Sequence, residues 1–89
     1  MNAQQRSFAA LCRAGRAILS WSQADLANKT NMATASIARI ETGKINPRHD
    51  SVIAIIRALE SGGLHIDRYD IDGGFSITAD KSLFTKQDP

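Results

Sequence analysis

Apolar residues in the first two-thirds of the chain recur three or four positions apart, which is the spacing of one buried helical face. The spacing predicts four helices, at about residues 4–19, 22–31, 34–42 and 49–61. The last helix shows the pattern most clearly, because Val52, Ile55, Ile56 and Leu59 follow i, i+3, i+4, i+7 spacing. One modest helical core is therefore expected.

Local signals place the ends of these helices. Ser22 can cap the second helix, and Asp25 three residues later completes a capping-box pattern. Asn31 tolerates the left-handed conformation that ends helices, and Gly43 gives the same signal after the third helix. Gly15 costs about 1 kcal/mol relative to alanine inside the first helix. It therefore predicts the close approach of another helix.

The pattern changes to period two after "SGG". Leu64 and Ile66, and then Phe75 and Ile77, alternate with polar residues, and "DIDGG" between the two runs has the composition of a turn. A β-hairpin is therefore predicted, with strands at about 64–69 and 74–79 and a flexible tail at 80–89. An isolated two-stranded hairpin is marginally stable in water. This one must pack on the helices or pair with a second chain.

Composition narrows the class of protein. The 89 residues, 43% hydrophobic and 22% charged, suit one ordinary globular domain. They contain no apolar run long enough to span a membrane, and the N-terminal segment lacks the apolar centre of a secretory signal. Cys12 has no second cysteine to pair with, which fits a reducing cytoplasm. It falls within the apolar pattern, so a small buried hydrophobe is expected rather than a reactive thiol.

The charge is unevenly distributed. Eight basic and four acidic residues give the segment 1–63 a net charge of +4, whereas three basic and five acidic residues give 64–89 a charge of −2. The predicted helical part therefore suits a polyanionic partner, and the remainder does not.

The second and third helices, joined by a short turn, form a helix-turn-helix over about residues 22–42. In this motif the second helix can lie in the DNA major groove. Ile37 and Ile40 would face the core. The opposite face carries four residues that would meet the bases: Thr34, Ala35, Ala38 and Arg39.

Short side chains on this face let the helix backbone approach the bases. Arg39 can donate two hydrogen bonds to guanine O6 and N7, and Thr34 can contact a base or a phosphate. The methyl groups of Ala35 and Ala38 can contact the methyl group of thymine. At the start of the second helix, the backbone amides beside Ser22 and Gln23 are placed for a phosphate.

The segment "RAGRAILSWSQADLANKTNMATASIARIETGKINP" resembles the helix-turn-helix domains of the lambdoid phage repressors and Cro, and of the wider XRE regulator family. The resemblance covers about residues 10–60 and lies in "SQADLA" and "IxxIExGKxNP". It implies a mostly α, four-helix lambda-repressor-like DNA-binding domain at 1–63, followed by the short β-hairpin at 64–79.

The resemblance also implies roles for individual residues. Gln23 matches a glutamine that binds a phosphate and braces the reading helix, and Arg16 and Glu41 match a partly buried ion pair. The family positions that face base edges are occupied here by Thr34, Ala35 and Arg39. Three residues match positions on or near the DNA backbone: Ser36, Lys44 and Arg48.

Three positions depart from the family pattern. Ala33 stands where a Ser or Thr cap is usual, so the third helix starts less firmly. Asn31 replaces a glycine, which is tolerable. Ala35 replaces a long polar reader and leaves Arg39 as the one long side chain on the reading face. Sequence preference is therefore expected to depend more on DNA shape.

These features predict a cytoplasmic, nucleoid-associated transcriptional regulator that binds double-stranded DNA, with repression as the expected activity. A homodimer is expected, since two copies of a small module bind two half-sites. The hairpin at 64–79 is expected to supply the dimer contacts Leu64, Ile66, Phe75 and Ile77, and the alternative is that it covers the core of its own chain. The alternative function is an antitoxin whose helices bind DNA and whose C-terminal part binds a toxin protein.

Other chemistry is not predicted. No arrangement of residues suggests an enzyme, and no cofactor is implied. His49 and His65 lack partners at metal-ligand spacing, so no metal site is expected. Trp21 is expected to pack in the core rather than to stack on a base.

Overall fold

The computed structural model describes residues 2–69 and 73–85. Within them the elements are α1 Ala3–Leu19, α2 Gln23–Thr30, α3 Thr34–Glu41, α4 His49–Ser61, β1 Leu64–Tyr69, β2 Gly74–Ala79 and a 3₁₀ helix Lys81–Leu83. The predicted fold class, mostly helical with an antiparallel hairpin after the helices, is confirmed. No helix in the described part of the chain is long and apolar enough to cross a membrane.

Side-chain caps fix the first two helices. The Asn2 side chain accepts a hydrogen bond from the Gln5 backbone N–H at 2.8 Å, and the Gln5 side chain accepts one from the Asn2 N–H at 3.2 Å. This capping box starts α1 slightly before the predicted residue. Ser22 and Asp25 form the predicted box at α2, with bonds of 2.9 and 2.8 Å. Asn31, at φ 58°, ends α2 as predicted.

Helix α3 has weaker ends. Ala33 occupies the N-cap position and makes no side-chain cap hydrogen bond, in line with the departure noted in the sequence. The helix ends at Glu41, and Thr42 donates its hydroxyl hydrogen to the Arg39 carbonyl oxygen at 2.6 Å. Gly43 follows with φ 76°, a left-handed conformation that glycine adopts without strain.

All four helices contribute to one core. Its largest fully buried side chains are Leu11, Leu26, Ile37, Ile55, Leu59 and Cys12. A Cβ atom built on Gly15 would lie 2.9 Å from Leu59 Cδ1, so the predicted close approach is that of α1 to α4. Burial raises the pKa of the Cys12 thiol to about 12. Trp21 is only half-buried and packs against this core.

The hairpin lies over the helices with one face inward. Its register pairs Leu64 with Ala79 and Ile66 with Ile77. Leu64 and Ile66 are 4% and 8% exposed, and Phe75 and Ile77 pack against the same core. These predicted dimer contacts are therefore used within their own chain, and Leu64 and Ile66 are not available to a second copy. The inner side chains of the hairpin therefore cover the core, which was the alternative to the expected role in dimerisation.

Part of the predicted tail is structured. Leu83, at the end of the 3₁₀ helix, packs against the core and lies close to Gly63. A Cβ atom on Gly63 would lie 2.6 Å from Leu83 Cδ2. Most of the predicted "DIDGG" turn and the last residues of the tail, 70–72 and 86–89, lie outside the described residues.

Candidate nucleic-acid interface

Helix α3 presents one face to the core and one to solvent. Ile37 and Ile40 are 0% and 4% exposed, which fixes the rotation of the helix about its axis. The opposite side carries the four residues predicted to meet bases: Thr34, Ala35, Ala38 and Arg39. Ala38 is half-exposed, and the other three are exposed. This face therefore consists of small side chains around a single arginine.

A buried carboxylate holds this helix in place. The Glu41 side chain is 4% exposed and lies opposite Arg16, as the resemblance implied. Arg16 donates from Nε to Oε2 at 2.7 Å and from Nη2 to Oε1 at 2.8 Å, a bidentate pair. Gln23 adds a hydrogen bond from Nε2 to Oε1 at 3.0 Å. A hydrogen bond thus joins the first residue of α2, Gln23, to the last residue of α3, Glu41.

Two backbone carbonyls extend the same network. Arg16 Nη1 donates to the Trp21 carbonyl oxygen at 2.9 Å, and Arg13 Nη1 donates to the Glu41 carbonyl oxygen at 2.6 Å. Arg13 and Arg16 of α1 therefore both hold Glu41 at the C-terminal end of α3, Arg16 through its carboxylate and Arg13 through its backbone carbonyl. Arg13 was not singled out from the sequence, because a bond to a backbone carbonyl leaves no mark on side-chain spacing.

Glu41 is kept ionised by its partners. Burial alone would raise the pKa of this carboxyl. The hydrogen bonds from Arg16 and Gln23, together with the charges of Arg16 and Arg13, outweigh burial and hold the pKa of Glu41 below its ordinary value. The hydrogen bond with Glu41 in turn raises the pKa of Arg16. Both groups are therefore charged at neutral pH.

The first residues of α2 have two roles, since Ser22 caps the helix and Gln23 donates a hydrogen bond to Glu41. The Ser22 oxygen accepts the Asp25 N–H at 2.9 Å, and hydrogen bonds from the Ser22 backbone and side chain lower the pKa of Asp25. Gln23 uses one amide hydrogen on Glu41 and retains a second. A phosphate at this helix start would meet backbone N–H groups and the remaining amide hydrogen of Gln23. Its position would be fixed relative to α3 through Glu41.

A shallow groove of about 180 Å³ lies beside α3 and brings together three of the predicted residues, Ser36, Arg39 and Arg48. Arg48 lies 3.7 Å from Asp50, and both side chains are largely exposed, so this pair leaves the guanidinium accessible. Lys44 is exposed on the same loop and does not line this groove.

A second, larger groove opens at the C-terminal end of α3. It measures about 620 Å³ and lies between α1 and the residues that follow α3. Its lining includes Arg6 and Arg13 of α1 together with Thr42. Arg6 and Thr42 were not predicted as site residues, although the sequence shows two arginines seven positions apart, at 6 and 13.

Comparison with known proteins agrees with this geometry. A family model described as helix-turn-helix matches residues 13–62, which is more than half of the chain. The match starts within α1, contains α2, α3 and α4, and leaves out the hairpin. No protein of curated function matches the chain.

Proposed function

The chain belongs to the helix-turn-helix family of the Cro/C1 type, and from this membership we propose that it is a sequence-specific transcriptional regulator. It binds double-stranded DNA and reads the major groove with α3. Its activity is repression, because a compact protein bound across promoter DNA competes with the transcription machinery for the same site.

The exposed face of α3 is the observation that carries this proposal. Its small side chains allow the helix axis to come close to the base edges, and Arg39 is the one long donor that reaches them. Arg39 contacts guanine, Thr34 contacts a base or a phosphate, and Ala35 and Ala38 contact thymine methyl groups. With so few reading groups, DNA shape contributes to the preference.

Backbone contacts surround this face. Ser22 and Gln23 take one phosphate at the start of α2, and the Gln23–Glu41 hydrogen bond of 3.0 Å supports this role because it sets the distance between that phosphate and α3. Ser36 and Arg48 take phosphates along the smaller groove, and Lys44 takes one from the loop. Such contacts fix the register of the protein on the duplex and do not themselves read sequence.

Two copies bind a palindromic site as a homodimer. The twofold symmetry of such a complex doubles the number of contacts that one small module makes. Its protein–protein contacts lie outside the inner face of the hairpin, since Leu64 and Ile66 are buried in their own chain. For the same reason, the alternative antitoxin function requires a toxin-binding surface on the outer face of the hairpin or beyond it.

Selection from a pool of random duplexes tests the proposal. Wild-type protein, Arg39→Ala and Arg57→Ala are each incubated with the pool, and the retained DNA is sequenced. Arg57 is an exposed arginine on α4 that lines neither groove beside α3, so its variant controls for the loss of one positive charge.

Wild type and Arg57→Ala should enrich a palindrome. Arg39→Ala should lose the preference at one symmetric pair of positions, at a cost of about 1–3 kcal/mol for each lost bidentate contact. Retention of DNA without any enriched motif, and without an effect of Arg39→Ala, would show that the protein binds phosphates only.

A further inference from the structure

The larger groove beside α3 carries positive charge that the proposed reading face does not use. We infer that Arg6 and Arg13 form a second phosphate-binding surface, called here the α1 strip, which takes the DNA backbone next to the base pairs read by α3. This inference rests on the proposed function and extends it to a helix outside the helix-turn-helix.

The α1 strip is continuous with the reading face. Ala35, Ala38 and Thr42 follow i, i+3, i+7 spacing and therefore lie along one side of α3. Thr42 is exposed at the end of that side, and it also lines the groove that contains Arg6 and Arg13. A duplex placed against the reading face therefore has its backbone near the mouth of this groove.

The groove is open because its walls are small. Apart from the two arginines it is lined only by alanine, serine, threonine and glycine: Ala3, Ser7, Ala9, Ala10, Thr42 and Gly43. No carboxylate belongs to this lining among the described residues, so an approaching phosphate meets no negative charge there. The nearby Glu41 is turned inward and paired with Arg16.

The two guanidinium groups have donors to offer. Arg6 is exposed, and its side chain makes no hydrogen bond or ion pair with any described residue. Arg13 uses one of its five N–H donors on the Glu41 carbonyl oxygen, which anchors the side chain at the inner end of the groove. Two helical turns separate the arginines, about 10.5 Å along the axis, so they reach different phosphates.

Other arginines in the described chain are already engaged or lie elsewhere. Arg16 holds Glu41, and Arg39 and Arg48 lie at the smaller groove. The Arg68 guanidinium lies 5.3 Å from the centroid of the Phe8 ring. Arg57 is exposed on α4, away from the groove, and provides a control of equal charge.

The salt dependence of DNA binding tests the α1 strip. Affinity for a mixed-sequence duplex is measured by fluorescence anisotropy between about 50 and 200 mM salt. The proteins are wild type, Arg6→Ala, Arg6→Lys and Arg57→Ala. A lost phosphate contact should make the slope of log affinity against log salt concentration shallower by about 0.9. Arg6→Ala should show this change, and Arg6→Lys, which keeps the charge, should restore most of the wild-type slope.

The affinity of Arg6→Ala should also fall equally for every duplex sequence, because a phosphate contact carries no sequence information. Arg57→Ala should keep the wild-type slope. An Arg6→Ala slope equal to that of wild type, or an equal change in Arg57→Ala, would overturn the inference.

This measurement separates the α1 strip from the proposed function, because a mixed-sequence duplex requires no sequence preference. If wild type enriches no motif but Arg6→Ala flattens the salt slope, the α1 strip stands and sequence-specific regulation fails. If wild type enriches a motif that Arg39→Ala loses, but Arg6→Ala leaves the salt slope unchanged, sequence-specific regulation stands and the α1 strip fails. Failure of wild type to bind any duplex would overturn both.

Discussion

Glu41 joins three segments through one side chain. Its carboxylate accepts hydrogen bonds from Arg16 of α1 and Gln23 of α2, while it ends α3 itself. A buried charge of this kind is costly to leave without partners. The orientation of α3 relative to α1 and α2 therefore depends on this residue as well as on the apolar contacts of the helix.

Acidification should weaken the fold through this carboxyl. The folded-state pKa of Glu41 lies below the ordinary value of 4.5. The ionised form therefore contributes stability that is fully present above about pH 4.5 and is lost as the pH falls through the folded-state pKa. Glu41→Gln should reduce the free energy of unfolding by about 2–3 kcal/mol at neutral pH, since hydrogen bonds to a charged group are lost.

Urea unfolding between neutral pH and about pH 3.5 measures this effect. The difference between wild type and Glu41→Gln should shrink as the pH falls. Glu60→Gln, at an exposed position on α4, serves as the control and should follow wild type throughout. A constant difference between wild type and Glu41→Gln across this range would show that ionisation of Glu41 does not contribute to stability.

Individual residues of this network were predictable to different degrees. The Arg16–Glu41 pair and the placement of Gln23 followed from the resemblance to the helix-turn-helix family. In that family these side chains and their partners stand at fixed positions in the sequence. Arg13 did not follow, because its acceptor is a main-chain oxygen that any residue at position 41 would supply. Which residues share a groove depends on how α1 crosses α3, and no local pattern encodes that crossing.

Helices α1 to α4 are capped unequally at their N-termini. Boxes of reciprocal hydrogen bonds start α1 and α2, at Asn2 and Ser22, whereas α3 and α4 begin at Ala33 and Arg48 without a side-chain cap. An uncapped helix start leaves backbone N–H groups to water. Helix α3 therefore lacks side-chain support at its N-terminus.

Ala33→Ser should therefore stabilise the protein. Residue 33 already has the extended conformation of an N-cap, at φ −72° and ψ 144°. The Ser36 N–H donates to the Ala33 carbonyl oxygen at 3.0 Å, and a serine oxygen at position 33 can accept the N–H of Ala35 or share that of Ser36. The expected gain is about 1 kcal/mol in the free energy of unfolding, measured by urea titration. Ser22→Ala, which removes an existing cap, should lose a similar amount. An unchanged midpoint for Ala33→Ser would show that the start of α3 is already satisfied.

Helices and strands were predictable where a long periodic pattern met a clear end signal. Asn31 and the strand bounds are examples, and the apolar stripe beginning at Val52 placed α4 correctly. The start of α1 was less accurate because the box formed by Asn2 and Gln5 precedes the apolar stripe. The packing of Leu83 was missed because it depends on a distant partner, Gly63, and not on its neighbours in sequence.

The hairpin and the helices share one core. Strand β1 packs against α4 and β2 against α1, so the sheet closes the side of the bundle away from α3. The period-two pattern showed which residues share a face. It did not show what covers that face, since a second chain and the helices of the same chain present similar apolar surfaces.

Removal of one inner side chain of the hairpin should therefore destabilise the helices as well. Ile66→Ala should lower the free energy of unfolding by about 2–4 kcal/mol, because Ile66 is 8% exposed and its loss leaves a cavity. Far-UV circular dichroism and Trp21 fluorescence should show one coincident transition. Thr78→Ala, at an exposed position on β2, should stay within about 0.5 kcal/mol of wild type. Retention of wild-type helical stability in Ile66→Ala would mean that the hairpin is an independent unit.

The single thiol of the chain has a practical consequence. Cys12 is fully enclosed between the helices, and its pKa of about 12 leaves almost no thiolate at neutral pH. Alkylating reagents attack thiolates, so the folded molecule is protected from them and the opened chain is not. The rate of Cys12 alkylation therefore reports how often the protein opens enough to expose its core to solvent. No added label is needed for this measurement.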